Sequence, residues 1–181
     1  MVQRTFRKIK EALPEANLLV ATGNSQVYSI ESQIEGDYDL VVEPERRDTA
    51  PAIMLACAKL AFDLEADPND SVIVLPIDTY ADDGYYESLA RLAEAVDERP
   101  DGLVLLGIEP TYPSEKYGYI VPVDTVGDIY EVSCFAEKPS EAKAQTLIEK
   151  GALWNGGIFG FKLGYGLDIL RRYTSSKDIE E

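Results

Sequence analysis

Apolar and polar positions fall in blocks along this chain, and the period of the blocks switches between that of a strand and that of a helix. Leu18-Leu19-Val20-Ala21-Thr22, Leu40-Val41-Val42, Val72-Ile73-Val74-Leu75-Pro76-Ile77 and Leu103-Val104-Leu105-Leu106-Gly107 are continuous apolar runs. Such runs predict strands covered on both faces, as in a parallel sheet between helices. The third run continues to Asp78, which predicts an acid at a strand's carboxyl end. Helical patterns lie between the strands. Phe6 to Leu13 predicts a helix ended by Pro14, and Ser25 opens a second that reaches about Ile34. The clearest helix takes Thr49 as its N-cap and tolerates Pro51 in its first turn. Ile53, Cys57, Leu60 and Leu64 then recur at helical spacing and give one apolar stripe. Tyr85, Leu89, Leu92, Ala93 and Val96 form another.

This order predicts right-handed crossovers and a doubly wound α/β fold whose mixed sheet is mostly parallel. From Tyr112 the character shifts. Tyr119 to Val126 and Ile129 to Phe135 predict a hairpin about Gly127-Asp128. A short helix (Ser140 to Lys150), a strand (Ile158 to Phe161) and a last helix (about Leu167 to Tyr173) follow. The second part adds strands to the first, so residues 1–181 read as one domain with halves at 1–110 and 111–181.

Composition narrows the chemistry. The 181 residues suffice for one domain with a sizeable core. No apolar run approaches the about eighteen residues of a membrane span, and Met1-Val2-Gln3-Arg4-Thr5 carries no signal-peptide core, so the chain reads as cytoplasmic with no membrane partner. Cys57 and Cys134 sit among apolar neighbours and read as small core residues. The net charge of −16 argues against nucleic acid, which needs a basic footprint. It also means that any phosphate site must supply local Arg, Lys or a divalent cation. The chain has no histidine. Histidine bases, Ser-His and Cys-His pairs and most zinc sites are thereby excluded, leaving carboxylates, Lys/Arg, backbone amides and Mg²⁺.

Five stretches could carry chemistry, and each has a plain alternative. Asp78 lies where α/β sheets hold their ligand crevice, a candidate metal ligand or simply a turn residue. Glu43-Pro44-Glu45-Arg46-Arg47-Asp48-Thr49-Ala50-Pro51-Ala52 joins a strand to a helix N-terminus, where amides and Arg47 favour anions; it also reads as a solvated charge run. Glu115-Lys116-Tyr117-Gly118-Tyr119-Ile120 sets a glycine between two tyrosines, a place for a ligand to approach the backbone or a bulge. Phe135-Ala136-Glu137-Lys138-Pro139 ends a strand in opposite charges. Strand neighbours face opposite ways, so Glu137 and Lys138 are not expected to pair. Trp154-Asn155-Gly156-Gly157-Ile158-Phe159 contains Asn-Gly, a tight-turn signal.

In their order and spacing these stretches resemble the mannose-1-phosphate guanylyltransferases. Those belong to the sugar-1-phosphate nucleotidyltransferases, with the Rossmann-like nucleotide-diphospho-sugar transferase fold. The resemblance covers nearly the whole chain. It implies that residues 1–110 bind the nucleotide and 111–181 the sugar phosphate. It further implies that Arg47, Asp48, Thr49 and Ala50 lie near the base and ribose, and that Asp78 is catalytic and holds Mg²⁺. Gly118, Asn155 and Gly156 would line the sugar, with Glu137 on its hydroxyls and the catalytic Lys138 on its phosphate. The partners implied are GTP and mannose-1-phosphate, in a protein compatible with homo-oligomers. Many members have His where this chain has Thr79, a departure that bears on substrate rather than on the metal.

The family also opens with a strand and a Gly-rich triphosphate loop, and later supplies a second metal carboxylate. The first glycine here is Gly23 and the single tryptophan is Trp154, so neither segment is matched. The reading is a fragment truncated at both ends, lacking its first strand, prone to swapped or aggregated states and of doubtful activity alone. Two alternatives stay open: a non-catalytic module that binds a sugar phosphate or nucleotide sugar, and a nucleotidyltransferase for glucose-1-phosphate with another nucleoside triphosphate.

Overall fold

The computed structural model of the protein describes residues 2–123 and 129–174. It is α/β, with helices α1 (Val2–Ala12), α2 (Val27–Glu31), α3 (Thr49–Ala58), α4 (Asp83–Glu98), α5 (Glu141–Glu149) and α6 (Leu163–Thr174). The strands are β1 (Leu19–Gly23), β2 (Asp39–Glu43), β3 (Ser71–Val74), β4 (Val104–Ile108), β5 (Gly118–Pro122), β6 (Val132–Ala136) and β7 (Leu153–Lys162). The chain divides into two compact units, Met1–Val104 with Gly160–Glu181, and Leu105–Phe159.

In the first unit β1 and β2 pair in parallel, with Leu19 opposite Asp39 and Gly23 opposite Glu43. They form a two-stranded sheet of their own. β3 belongs to the larger sheet and pairs with β7, whose residues from Gly160 onward lie in this unit. The expected single sheet is thus two sheets among the described residues. One core gathers Val20, Ile30 and Ile34, with Phe6 and Ile77 packed against them. Another gathers Cys57, Phe161, Leu163 and Leu167, with Ile53 and Leu60 packed against it.

The apolar stripe of α3 stops earlier than its spacing implies. After Ala58 the chain widens into a π-helical turn, Lys59–Asp63. A π turn holds more residues than an α turn, so the next position rotates off the face. Leu64 is accordingly exposed. The second helix is also short. A 3₁₀ turn at Asn24–Gln26 precedes α2, which ends at Glu31, well before Ile34.

In the second unit β5 pairs antiparallel with both β6 and β7, and β4 pairs with β7. The predicted hairpin is therefore present, while its Gly127-Asp128 tip lies outside the described residues. β6 stands at the end of the strand order, and Val132 to Phe135 are exposed along it. Cys134 is therefore an edge residue rather than the core residue expected. β7 overturns the other expectation. Trp154-Asn155-Gly156-Gly157 forms no turn between elements but lies inside a ten-residue strand. Asn155 stands opposite Gly118 on β5, and the ladder hydrogen bonds hold the segment extended. The Asn-Gly signal is answered within the strand, where Asn155 Oδ1 accepts from the Gly157 amide at 3.1 Å and Gly157 takes φ of +73°.

Two outcomes follow from this packing. A β-carbon at Gly160 would lie 2.6 Å from Val96 Cγ2 and 3.2 Å from Leu92 Cγ. Gly160→Ala should therefore destabilise by about 1–3 kcal/mol, read as a lower midpoint in urea unfolding. The two thiols should also separate in native alkylation. Cys134 is exposed, whereas burial pushes the Cys57 thiol up to about 11. One equivalent of iodoacetamide should react quickly, and the second only after unfolding.

Candidate active site

The first unit holds two of the predicted groups. β3 ends at Val74, earlier than the apolar run suggested, because Pro76 has no amide to donate to a ladder. Asp78 sits beyond it on a turn, exposed. Its carboxylate makes no hydrogen bond or ion pair among the described residues. The turn is anchored from α1, where buried Thr5 donates from Oγ1 to the Ile77 carbonyl at 3.3 Å.

The loop from β2 to α3 carries Arg47, Asp48, Thr49 and Ala50, all exposed. Asp48, not Thr49, is the N-cap, and its carboxylate accepts from the Thr49 amide at 2.9 Å. Asp48 holds φ of 73° and ψ of −175°, a region almost reserved for glycine. Such strain costs about 1–3 kcal/mol and collects at functional sites. Arg47 forms a two-point contact with Glu45 Oε2, at 2.8 and 3.1 Å. Glu43, Pro44, Glu45, Arg47, Pro51 and Leu55 line a cavity of about 400 Å³, within the range of small-ligand pockets. A cavity of about 420 Å³ beside Pro68, Pro100, Lys162 and Tyr165 contains none of the predicted site residues.

The second unit brings Gly118, Glu137 and Asn155 together. A β-carbon on Gly118 would lie 2.7 Å from Glu137 Oε2 and 3.5 Å from Asn155 Cβ. The chain's own Glu137 carboxylate lies over the Gly118 backbone, in the place where the Tyr-Gly-Tyr pattern predicted a ligand. Gly156 is bare for another reason: its β-carbon would strike Ile108 Cδ1 at 2.6 Å. Glu137 and Lys138 do pair, at 3.1 Å, against expectation. Strand alternation does not govern them, because β6 ends at Ala136 and Lys138 turns the chain with φ of 42°.

The framework beneath this cluster escaped the sequence reading. Tyr119 is fully buried, and its hydroxyl accepts from the Ser114 amide at 2.8 Å and donates to the Ser114 carbonyl at 3.0 Å. That ties the loop before Gly118 to β5. Glu115 accepts from the Glu141 amide at 3.1 Å, capping α5 where Ser140 makes no side-chain cap. Tyr112 meets Trp154 edge to face and Tyr117 meets it at a tilt, with centroids 5.2 and 4.9 Å away. The aromatic residues were visible in the sequence. Their convergence depends on β5 and β7 being neighbours.

A metal can be tested against these donors. No group of three or more His, Cys, Asp or Glu side chains gathers among the described residues. Asp78 is a single exposed, unpaired carboxylate. Mg²⁺ is commonly held by one or two carboxylates with phosphates and water, so Asp78 fits as one protein ligand of such a site.

A mannose-1-phosphate guanylyltransferase of Sinorhizobium fredii is 33% identical over 170 residues, 90% of this chain and 32% of its own length. One from Escherichia coli is 36% identical over 150 residues, 76% of this chain and 31% of its own. The chain thus spans about a third of the length of these curated relatives. A solved structure described as mannose-1-phosphate geranyltransferase from Thermus thermophilus superposes with TM-score 0.82 at 32% identity, covering 99% of this chain and 55% of that one. A Helicobacter pylori structure described as mannose-6-phosphate isomerase, at 24% identity and TM-score 0.74 over 96% of this chain and 67% of its own, shares the fold. Residues 1–180 match the profile of the nucleotidyl transferases, and the chain belongs to that family.

Proposed function

We propose that this chain carries the nucleotide and sugar-phosphate sites of a mannose-1-phosphate guanylyltransferase, which makes GDP-mannose and pyrophosphate from GTP and mannose-1-phosphate. The observation that carries the reading is the Gly118–Glu137–Asn155 cluster, where a carboxylate and an amide flank a bare stretch of backbone. Sugar hydroxyls need that arrangement of acceptors and donors at close range. The likeness to mannose-1-phosphate guanylyltransferases supports the choice of sugar and nucleotide.

In this reading a phosphate oxygen of mannose-1-phosphate attacks the α-phosphorus of GTP in line. The bond from that phosphorus to the β-phosphate oxygen breaks, and pyrophosphate leaves with its electron pair. A phosphate monoester has its second pKa at about 6, so the nucleophile is already ionised at neutral pH. A chain without histidine meets that requirement, since no strong base is needed. What remains is positioning and charge neutralisation. Glu137 and Asn155 orient the sugar ring, and Lys138 meets the sugar phosphate. Lys138 is exposed and already paired with Glu137, so a phosphate would compete with that carboxylate. Arg47 and the strained Asp48–Thr49 turn receive the base and ribose.

Enzymes of this family generally act with a divalent metal, here Mg²⁺ held by Asp78. When bound, it would neutralise charge on the reacting phosphates. A cytoplasmic location belongs to the same reading. No helix among the described residues is long and apolar enough to cross a membrane.

Pyrophosphate release from a panel of nucleoside triphosphates and sugar phosphates, by a chain extended to the length of its curated relatives, tests the reading. Turnover with GTP and mannose-1-phosphate should exceed that with UTP, ATP or dTTP and glucose-1-phosphate. Asp78→Asn should lower turnover about 100-fold or more; retention of over a tenth would remove Asp78 from the metal site. A glucose-1-phosphate preference would transfer the reading to another branch. Binding of mannose-1-phosphate without any turnover would favour a non-catalytic module. Gly118→Ala isolates the sugar half. The new methyl group meets the flexible end of Glu137 at 2.7 Å and Asn155 Cβ at ordinary van der Waals distance, 3.5 Å. It should raise KM for mannose-1-phosphate severalfold with little change in Tm.

A further inference from the structure

Helix α1 reaches the Asp78 segment at three places, all within the first unit. Thr5 donates to the Ile77 carbonyl at 3.3 Å. Lys8 Nζ meets Asp83 at 2.9 Å. Between them the guanidinium of Arg4 stands 4.5 Å from the ring centroid of Tyr80. These contacts on residues 77, 80 and 83 bracket Asp78.

The two cations of α1 differ in what they have left to offer. Lys8 is committed to Asp83 and also to Glu11, at 2.9 Å each. Arg4 forms no hydrogen bond or ion pair among the described residues, although its charge acts on Asp83. Its partner Tyr80 is 78% exposed and two residues from Asp78. A cation over a ring face is attracted by the ring's quadrupole, which occupies none of its N–H donors as hydrogen bonds do. The contact holds the guanidinium over Tyr80, and no hydrogen bond among the described residues takes up its donors. A planar fork of this kind matches a phosphate with two parallel hydrogen bonds.

The field around Asp78 gives such a group a task. A polyphosphate brought to a carboxylate in a chain of net charge −16 meets repulsion that one divalent cation offsets only in part. We propose that Arg4, held over the ring of Tyr80, binds the phosphate chain of the nucleotide beside Asp78. This rests on the reading of Asp78 as the phosphate end of the nucleotide site. Arg4 then acts in binding, through two oxygens of one phosphate, and in restraining the nucleotide for in-line attack. Tyr80 is a positioning residue that acts through Arg4.

Calorimetric titration of the intact chain with GTP, GMP, guanosine and inorganic pyrophosphate, each with Mg²⁺, tests the proposal. Arg4→Ala should weaken GTP and pyrophosphate at least tenfold and GMP less, and should leave guanosine unchanged. Arg4→Lys should fall between, since it keeps the charge and loses the fork. Thermal melting of each variant reports its folding. Should Arg4→Ala fold poorly, a loss in Arg4→Lys graded by phosphate number supports the same assignment, and an ungraded one overturns it. GTP affinity in Arg4→Ala within twofold of the original overturns the proposal. So does a loss equal for guanosine and GTP, which marks a merely structural contact. If Asp78→Asn abolishes Mg²⁺-dependent GTP binding while Arg4→Ala does not, only the assignment of Arg4 fails. A chain that binds neither GTP nor pyrophosphate overturns this proposal together with the nucleotide site.

Discussion

Strand β7 can form as it does because its glycines present no side chains to what lies over them. Ile108 comes within 2.6 Å of where a β-carbon on Gly156 would stand, and Val96 does the same at Gly160. These are backbone-to-side-chain contacts at a distance that no other residue type permits. They let β4 pack along one part of the strand in the second unit and α4 along another in the first. With β7 paired to β5, Asn155 comes opposite Gly118, where the Glu137 carboxylate also lies. The sugar-side chemistry thus depends on absent side chains as much as on present ones.

The two loops that carry charge share a second device. Asp48 and Lys138 both take positive φ without being glycine, each in a segment that joins a strand to a helix. Such conformations persist only where surrounding contacts over-determine them. At Asp48 the counterweight is its own cap on Thr49; at Lys138 it is the ion pair with Glu137. Both pairs are exposed, so their energies are modest. They define direction more than stability. A charged ligand can replace either contact without dismantling the core, which lies in Tyr119, Ala144 and Ala152 on one side of the division and around Cys57 and Val20 on the other.

Much was legible beforehand because periodicity is local. α4 shows Leu89, Leu92 and Val96 buried where the stripe put them, and every predicted strand has a counterpart. The errors occurred where a local signal met a distant neighbour. Asn155-Gly156 reads as a turn by itself and is extended because β5 lies alongside. Leu64 keeps helical spacing but follows a π turn. Cys134 sits in an apolar run yet lies on an edge strand. The Arg4–Tyr80 stack joins positions far apart in sequence, and no local pattern marks it.

By itself the sequence determined the alternation of strands and helices, the exclusion of histidine chemistry, and five ordered stretches that lead to the nucleotidyl transferases. These are matters of residue type and spacing along the chain. The tertiary structure decided which of those residues meet: Glu137 over Gly118, Asn155 opposite Gly118, α1 on the Asp78 turn. Such contacts arise from strand pairing and helix docking over long separations, where side-chain volume and hydrogen-bond satisfaction compete across the fold. A one-dimensional pattern records the participants in that competition but not its outcome.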